Sequence, residues 1–241
     1  MRQKEFYKNS YAQDQAFDSL PKFNKIISLI EKERPRVLLD LGCGDGAFVA
    51  LIREKTKVSE VFGVDISEEA ARKAKERGIE AIPLNIDEQD LPFTDNSFDI
   101  VFCGELIEHL FDPDHLLQEI RRVLKPGGLC ILTTPNLSSW VNRIALLLGY
   151  QPFFTEVSTK FGVGHLFPFW LNAGHMRLFT YRAIRDLVKI YDFQVEKIYG
   201  VGINTKLGLG KKLFLIASLL NKIFQPFPSL ASDLILVIRK K

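Results

Sequence analysis

Three glycines at alternating positions, Gly42, Gly44 and Gly46, follow the apolar run Val37–Leu41 and precede a helical pattern. Such a turn presents bare backbone N–H groups at a helix start, where a polar or anionic ligand can approach closely. The next apolar run ends at Asp65, nineteen residues after the last glycine. An acid at the tip of the neighbouring strand accepts hydrogen bonds from a ribose diol. Asp87 follows a third run and Glu105 a fourth. A carboxylate at 87 can accept from an exocyclic amine, the N–H of Glu88 can donate to a ring nitrogen, and Ile66 can cover a ring face; together these read an adenine. The bland alternatives stand beside these readings. Glycine loops also serve as plain tight turns, Asp65 can cap the helix beginning near Ser67, and Asp87 can close an Asx-turn. Glu105, Glu108 and His109 stand at i, i+3 and i+4, and share one face if a helix starts there.

These residues require strands that end on one edge. Apolar periodicity predicts a helix over 23–32, strands at 37–41, 61–65, 81–84, 98–103 and 129–134, and helices at 47–55 and from Ser67 to Gly78. Ser67 with Glu68 and Glu69 opens a helix, and Asp112-Pro113 opens another that Lys125-Pro126-Gly127-Gly128 closes. Pro83 belongs on a sheet edge, because it cannot donate to a ladder. Thr180 caps a helix to Tyr191, followed by a strand 194–199, a helix near 211–224 and a strand 234–238. Alternating strands and helices imply an α/β, doubly wound, mostly parallel sheet whose ligands bind beyond the carboxyl ends. Residues 137–175 are aromatic and punctuated by glycine and proline, so they read as an insertion over that edge.

Composition excludes several classes. A chain of 241 residues with net charge +3 shows no Arg/Lys stripe with interleaved aromatics, which argues against nucleic acid. Cys43, Cys103 and Cys130 fall in or beside core strands, an odd number suited to a reducing, cytoplasmic setting. Met1–Ser10 lacks the apolar core of a signal peptide, and no apolar run reaches the roughly 18 residues of a membrane span. The segment with Lys206, Lys211 and Lys212 is either a packed tail helix or a peripheral membrane contact.

Leu39–Gly46, Val64–Ser67, Asp87–Asp99, Glu105–Leu110, Arg122–Gly128 and Thr134–Asn136, in this order, resemble a class I S-adenosylmethionine-dependent methyltransferase over roughly residues 23–136. The resemblance implies a Rossmann-like seven-stranded sheet, order 3-2-1-4-5-7-6 with the last strand antiparallel, in one domain. Its parts would be an N-terminal helical segment 1–35, a cofactor core 36–136, a lid or substrate insertion 137–179, and a closing helix-strand-helix-strand unit 180–241. It assigns Asp40, Gly42, Cys43, Gly44, Gly46, Asp65, Ile66, Asp87, Glu88 and Glu105 to S-adenosylmethionine. Glu108, His109 and His175 would serve the acceptor, by general base catalysis or by positioning it. The Glu-x-x-Glu-His run with a later histidine is similar to ubiquinone-pathway and RNA 2′-O-methylating branches. In that comparison Glu105, Glu108, His109 and His175 would be ligands of a divalent metal. The implied activity is methyl transfer, at oxygen, to a small-molecule, glycan, isoprenoid-type or lipid-linked acceptor. The rivals are an NAD(P)-dependent oxidoreductase and a non-catalytic S-adenosylmethionine-binding module. Asn136 either orients the acceptor or ends a strand, and Phe153, Phe154, Phe161, Phe167, Phe169 and Trp170 either line a pocket or fill core. His115 reads as surface and His165 has no evident partner.

Overall fold

The computed structural model describes residues 21–158, 160–166, 174–202 and 211–241. Met1–Ser10, Lys206, Phe167, Phe169 and Trp170 lie outside the described residues, as do the side chains of Lys211 and Lys212. The described elements run α1 Pro21–Glu33, β1 Val37–Leu41, α2 Ala47–Thr56, β2 Glu60–Asp65, α3 Glu68–Glu76, β3 Glu80–Pro83 and β4 Phe98–Gly104. There follow α4 Pro113–Val123, β5 Leu124–Pro135, α5 Trp140–Leu147, α6 Tyr181–Ile190, β6 Phe193–Val201, α7 Lys211–Phe224 and β7 Asp233–Lys240.

The strands form one sheet in the order β3-β2-β1-β4-β5-β7-β6, as the resemblance implied. β7 runs antiparallel to both neighbours, and the other neighbouring pairs are parallel. Pro83 sits on edge strand β3, where its missing N–H costs nothing. Each strand feeds two cores because successive side chains face opposite ways. Val101 and Cys103 of β4 join the helices α4 and α6 on one face, whereas Ile100 and Phe102 pack with α1, α2 and α3 on the other. The strands therefore read as unbroken apolar runs, buried on both sides.

Local chemistry sets the helix starts. The Ser67 hydroxyl accepts from Ala70 N, the Asp112 carboxylate from His115 N, and the Thr180 hydroxyl from Ala183 N. Two expectations change. Lys125–Gly128 does not follow a helix as a loop: α4 stops at Val123 and Leu124 already starts β5, pairing with Phe98 before a bulge. Glu105–His109 is no helix face, since only a three-ten turn forms over Ile107–His109 and Glu105 has φ of 50°.

Gly46 holds α2 against α3. It adopts φ of 77°, and a Cβ there would sit 2.8 Å from Ala74 Cβ. Gly127 shares the left-handed conformation but has nothing within 4 Å. Gly46→Ala is expected to combine left-handed strain with overpacking, roughly 2–5 kcal/mol in all, lowering the melting temperature by about 5–15 °C. Gly127→Ala should cost only the strain, about 1–2 kcal/mol. Thermal unfolding of the two variants checks this; equal losses would contradict the clash.

Candidate functional site

The turn after β1 uses all three glycines with positive φ, 78° at Gly42, 55° at Gly44 and 77° at Gly46. Three of its amides are taken by β2, and Gly46 N donates to Cys43 O at 3.0 Å. Gly42 N and Cys43 N both donate to Val64 O, at 2.8 and 3.1 Å. Gly44 N donates to one oxygen of the Asp65 carboxylate at 2.9 Å, and Ser67 N to the other at 2.9 Å. Asp65 thus joins the glycine turn to the start of α3 while 4% exposed. It is not the cap of that helix, which is Ser67. Gly46 caps α2, and the Asp45 side chain accepts from Ala47 N at 3.1 Å.

Two buried groups respond to that charge. Burial, with the Asp65 carboxylate beside it, pushes Asp40 up to about 8, so its carboxyl is protonated at neutral pH. Burial, then Asp40 and Asp65, raises the Cys43 thiol, which stays protonated. Cys43, Cys103 and Cys130 are all buried and free.

Asp87 reaches the same edge. Asp65 pairs with Pro83, and Leu84 N donates to Asp65 O at 2.8 Å, so the loop after β3 starts from the tip of β2. Asp87 N donates to the Asn85 side chain at 3.2 Å, which is the Asx-turn expected as its bland role. Its own carboxylate accepts from Asp112 N at 3.0 Å. Ile66 and Glu88 flank these acids in the chain, Glu88 N donating to Asn85 O at 3.1 Å.

At the ends of β4 and β5 the two glutamates part company. Glu105 accepts from Lys22 Nζ at 2.7 Å and from the Thr133 hydroxyl at 2.6 Å. Lys22 also reaches Asp233 at 3.0 Å. Burial opposes ionisation of Glu105, but the Lys22 ammonium outweighs it and holds the carboxyl below its ordinary range. Burial pushes Asp233 up to about 6 against the pull of Lys22. Glu108 is 0% exposed, and one of its oxygens accepts from the Thr134 hydroxyl at 3.0 Å. The other oxygen, Oε1, is buried with no hydrogen-bond partner. Burial, then the Glu105 charge, raises Glu108 well above the carboxylate range. Neighbouring acids driven apart in this way mark one ionised and one protonated carboxyl.

The histidines meet Glu108 from two segments. His109 Nδ1 lies 3.2 Å from Gly174 O, and His175 Nδ1 lies 3.0 Å from Phe154 O. A carbonyl only accepts, so both Nδ1 atoms carry the proton and both Nε2 atoms present lone pairs. Met176 N and Arg177 N donate to Glu108 O, and the rings of His109 and His175 stand 4.8 Å apart. Glu108, His109 and His175 offer ligand atoms within 4.8 Å of one another. A tetrahedral zinc shell with bonds near 2.1 Å spans about 3.4 Å between ligands, so an ion would draw these side chains slightly together. Glu105, expected as a fourth ligand, is instead engaged by Lys22.

Other sequence readings resolve individually. Asn136 is 2% exposed, donates to Ala231 O and Pro228 O and accepts from Ser138, so it is a turn residue. Phe153 is core, Phe154 meets the His175 ring edge-on and Phe161 is 68% exposed. His115 lies at the α4 start near Gln89 O, and His165 Nδ1 is buried without a partner. Sequence reasoning missed Lys22, Thr133 and Asp233. The apolar stripe of α1 marked its buried face but gave no sign that a lysine on it seeks the sheet edge.

Residues 39–132 match a family model described as a methyltransferase domain. Demethylmenaquinone methyltransferase of Staphylococcus aureus strain MRSA252 is 35% identical over 162 residues, covering 58% of this chain and 66% of that protein. The mitochondrial arginine-hydroxylase NDUFAF5 of Mus musculus is 36% identical over 93 residues, 39% of this chain and 27% of that protein. The matched stretches thus span less than two thirds of these relatives. A solved S-adenosylmethionine-dependent methyltransferase of Mesorhizobium loti has a TM-score of 0.63 at 18% identity, covering 93% of this chain and 100% of that one, which shows the fold. The family model spans residues 39–132 of the 241, and the sheet order agrees with the fold of the solved structure.

His109 gives the site a pH signature. Burial, then the neighbouring His175, holds it down to about 4, against an unfolded value near 6.5. Below 6.5 the unfolded chain binds the extra proton, so the stability is whole above that pH and is lost as pH falls through 4, up to about 3 kcal/mol. Urea unfolding across this range should show a steeper acid loss in the native protein than in His109→Asn. Parallel curves would contradict the assignment.

Proposed function

We propose that this chain transfers a methyl group from S-adenosylmethionine to an oxygen of a small apolar or lipid-linked acceptor. The observation that carries the reading is the placement of the glycine turn, Asp65 and Asp87 on one sheet edge beside the Glu108–His109–His175 cluster. When bound, S-adenosylmethionine supplies a methyl group already activated on a sulfonium. Asp65 receives the ribose hydroxyls, Asp87 with Glu88 N reads the adenine edge, and Ile66 covers its face. Gly42, Cys43, Gly44 and Gly46 bring backbone to the amino-acid end, with the protonated Asp40 carboxyl on β1 and the ionised Glu105 just past β4, the strand paired with β1. This division of labour leaves positioning and water exclusion as the protein's main contribution, worth up to about 7–11 kcal/mol of barrier.

An acceptor hydroxyl must lose its proton as the new O–C bond forms. The Nε2 atoms of His175 and His109 are the proton acceptors, each ring fixed by its Nδ1–H to a backbone carbonyl. Burial and the neighbouring His175 hold His109 down to about 4, so its ring is neutral and able to accept a proton at neutral pH. The acceptor class draws on the name of the Staphylococcus relative, demethylmenaquinone methyltransferase, while the choice of oxygen rests on the two histidine bases alone. A second reading is favoured by the orphaned Glu108 Oε1: a divalent ion held by Glu108, His109 and His175, which would satisfy that oxygen and bind an acceptor oxygen directly.

Transfer of labelled methyl to quinol and isoprenoid acceptors tests the proposal. Asp65→Ala should weaken S-adenosylmethionine binding by about 1.5–3 kcal/mol, and unchanged affinity in calorimetry would remove Asp65 from the ribose. His175→Ala should leave that affinity intact and lower turnover about 100-fold or more. Activity that survives both this substitution and chelation would eliminate the base and the ion together.

A further inference from the structure

Two helices that touch each other leave apolar stripes uncovered. On α5, Ile144, Leu147 and Leu148 are 43%, 85% and 58% exposed, at i, i+3 and i+4. On α7, Leu215, Leu219 and Ile223 are 66%, 60% and 51% exposed, at i, i+4 and i+8. Single exposed leucines are ordinary, whereas two full helical stripes are not. The helices are joined at one end: Trp140 Nε1 donates to Asn221 Oδ1 at 2.9 Å, and the Trp140 and Phe224 rings stand 5.7 Å apart. Trp140 N donates to Leu230 O at 2.9 Å, so the pair is anchored beside the carboxyl end of β5, where Thr134 meets Glu108.

Charge identifies the occupant. Residues 197–232 contain no Asp or Glu but five lysines, Lys197, Lys206, Lys211, Lys212 and Lys222. Residues 137–155 contain no acid either, and carry Arg143. The chain elsewhere is mixed, with 29 acids against 32 Lys and Arg in all. A second copy would set these acid-free, cationic stretches of sequence against themselves. An anionic bilayer instead accepts leucine and isoleucine at its acyl boundary and draws lysines to its headgroups.

We infer that α5 and α7 form a docking face for an anionic membrane surface, holding the carboxyl edge of the sheet next to the bilayer. Docking does not require methyl transfer; with the proposed function it names the acceptor as one resident in that bilayer. The full chain should sediment with vesicles of phosphatidylcholine containing about one-third phosphatidylglycerol, and several-fold less with phosphatidylcholine alone or at about 0.5 M salt. Leu147→Glu with Leu219→Glu should weaken vesicle binding at least about tenfold. Lys222→Glu with Arg143→Glu, which leaves the apolar stripes intact, should weaken it several-fold and flatten the salt dependence. S-adenosylmethionine affinity, measured by calorimetry without vesicles, should be unchanged in both variants, separating a failure here from a failure of the cofactor site. Equal sedimentation of all three proteins, or no binding to anionic vesicles, would overturn the inference. So would concentration-dependent dimerisation without vesicle binding, abolished by the leucine substitutions.

Discussion

A single buried carboxylate, Asp65, ties together the two loops on which the site is built. A strand entering a left-handed glycine turn leaves its amides without ladder partners, and buried amides must be satisfied. Val64 O takes two of them and Asp65 takes Gly44 N, while its second oxygen takes Ser67 N at the start of α3. The turn is therefore shaped by its neighbour strand. The same charge, in a place with little water, keeps Asp40 and Cys43 protonated and makes the crevice a region of fixed hydrogen-bond acceptors.

The other half of the site depends on separating two glutamates. Glu105 stays ionised because Lys22 from the first described helix lies against it, and Glu108 stays protonated because burial and the Glu105 charge both disfavour its ionisation. Asp233, at the start of the last strand, completes the group around Lys22. Glu105 also sits at φ of 50°, a conformation that costs a non-glycine residue about 1–2 kcal/mol. Thr133 offsets part of this by accepting from Glu105 N and donating to its side chain. Strain of this kind, held by surrounding contacts at the end of a strand, accompanies sites where a side chain must be aimed.

Much of the frame was legible because local rules and the tertiary fold agree. Unbroken apolar runs, caps at Ser67, Asp112 and Thr180, and Pro83 at an edge each have one structural solution. The seven-strand order came from the resemblance alone. Periodicity failed where a backbone choice is made by distant partners. Glu105–His109 has helical spacing, but β4 is followed by a left-handed residue, Glu105, bonded to β5, so the acids do not share a helix face. Lys22 meets Glu105 and Asp233 across 83 and 211 positions, a relation no local pattern carries. The pairing of His109 with His175 was foreseeable only through the resemblance; the carbonyls that fix their tautomers, of Gly174 and Phe154, lie outside the described helices and strands.

Calorimetric titration of the full chain with S-adenosylmethionine, its demethylated product and NAD tests the central claim most directly, because the acids at 65 and 87 are read as gripping one adenosine with a methionine tail. The account predicts that S-adenosylmethionine and its product each bind at one site per chain and compete, while NAD does not bind. Binding of NAD with no affinity for S-adenosylmethionine would contradict it.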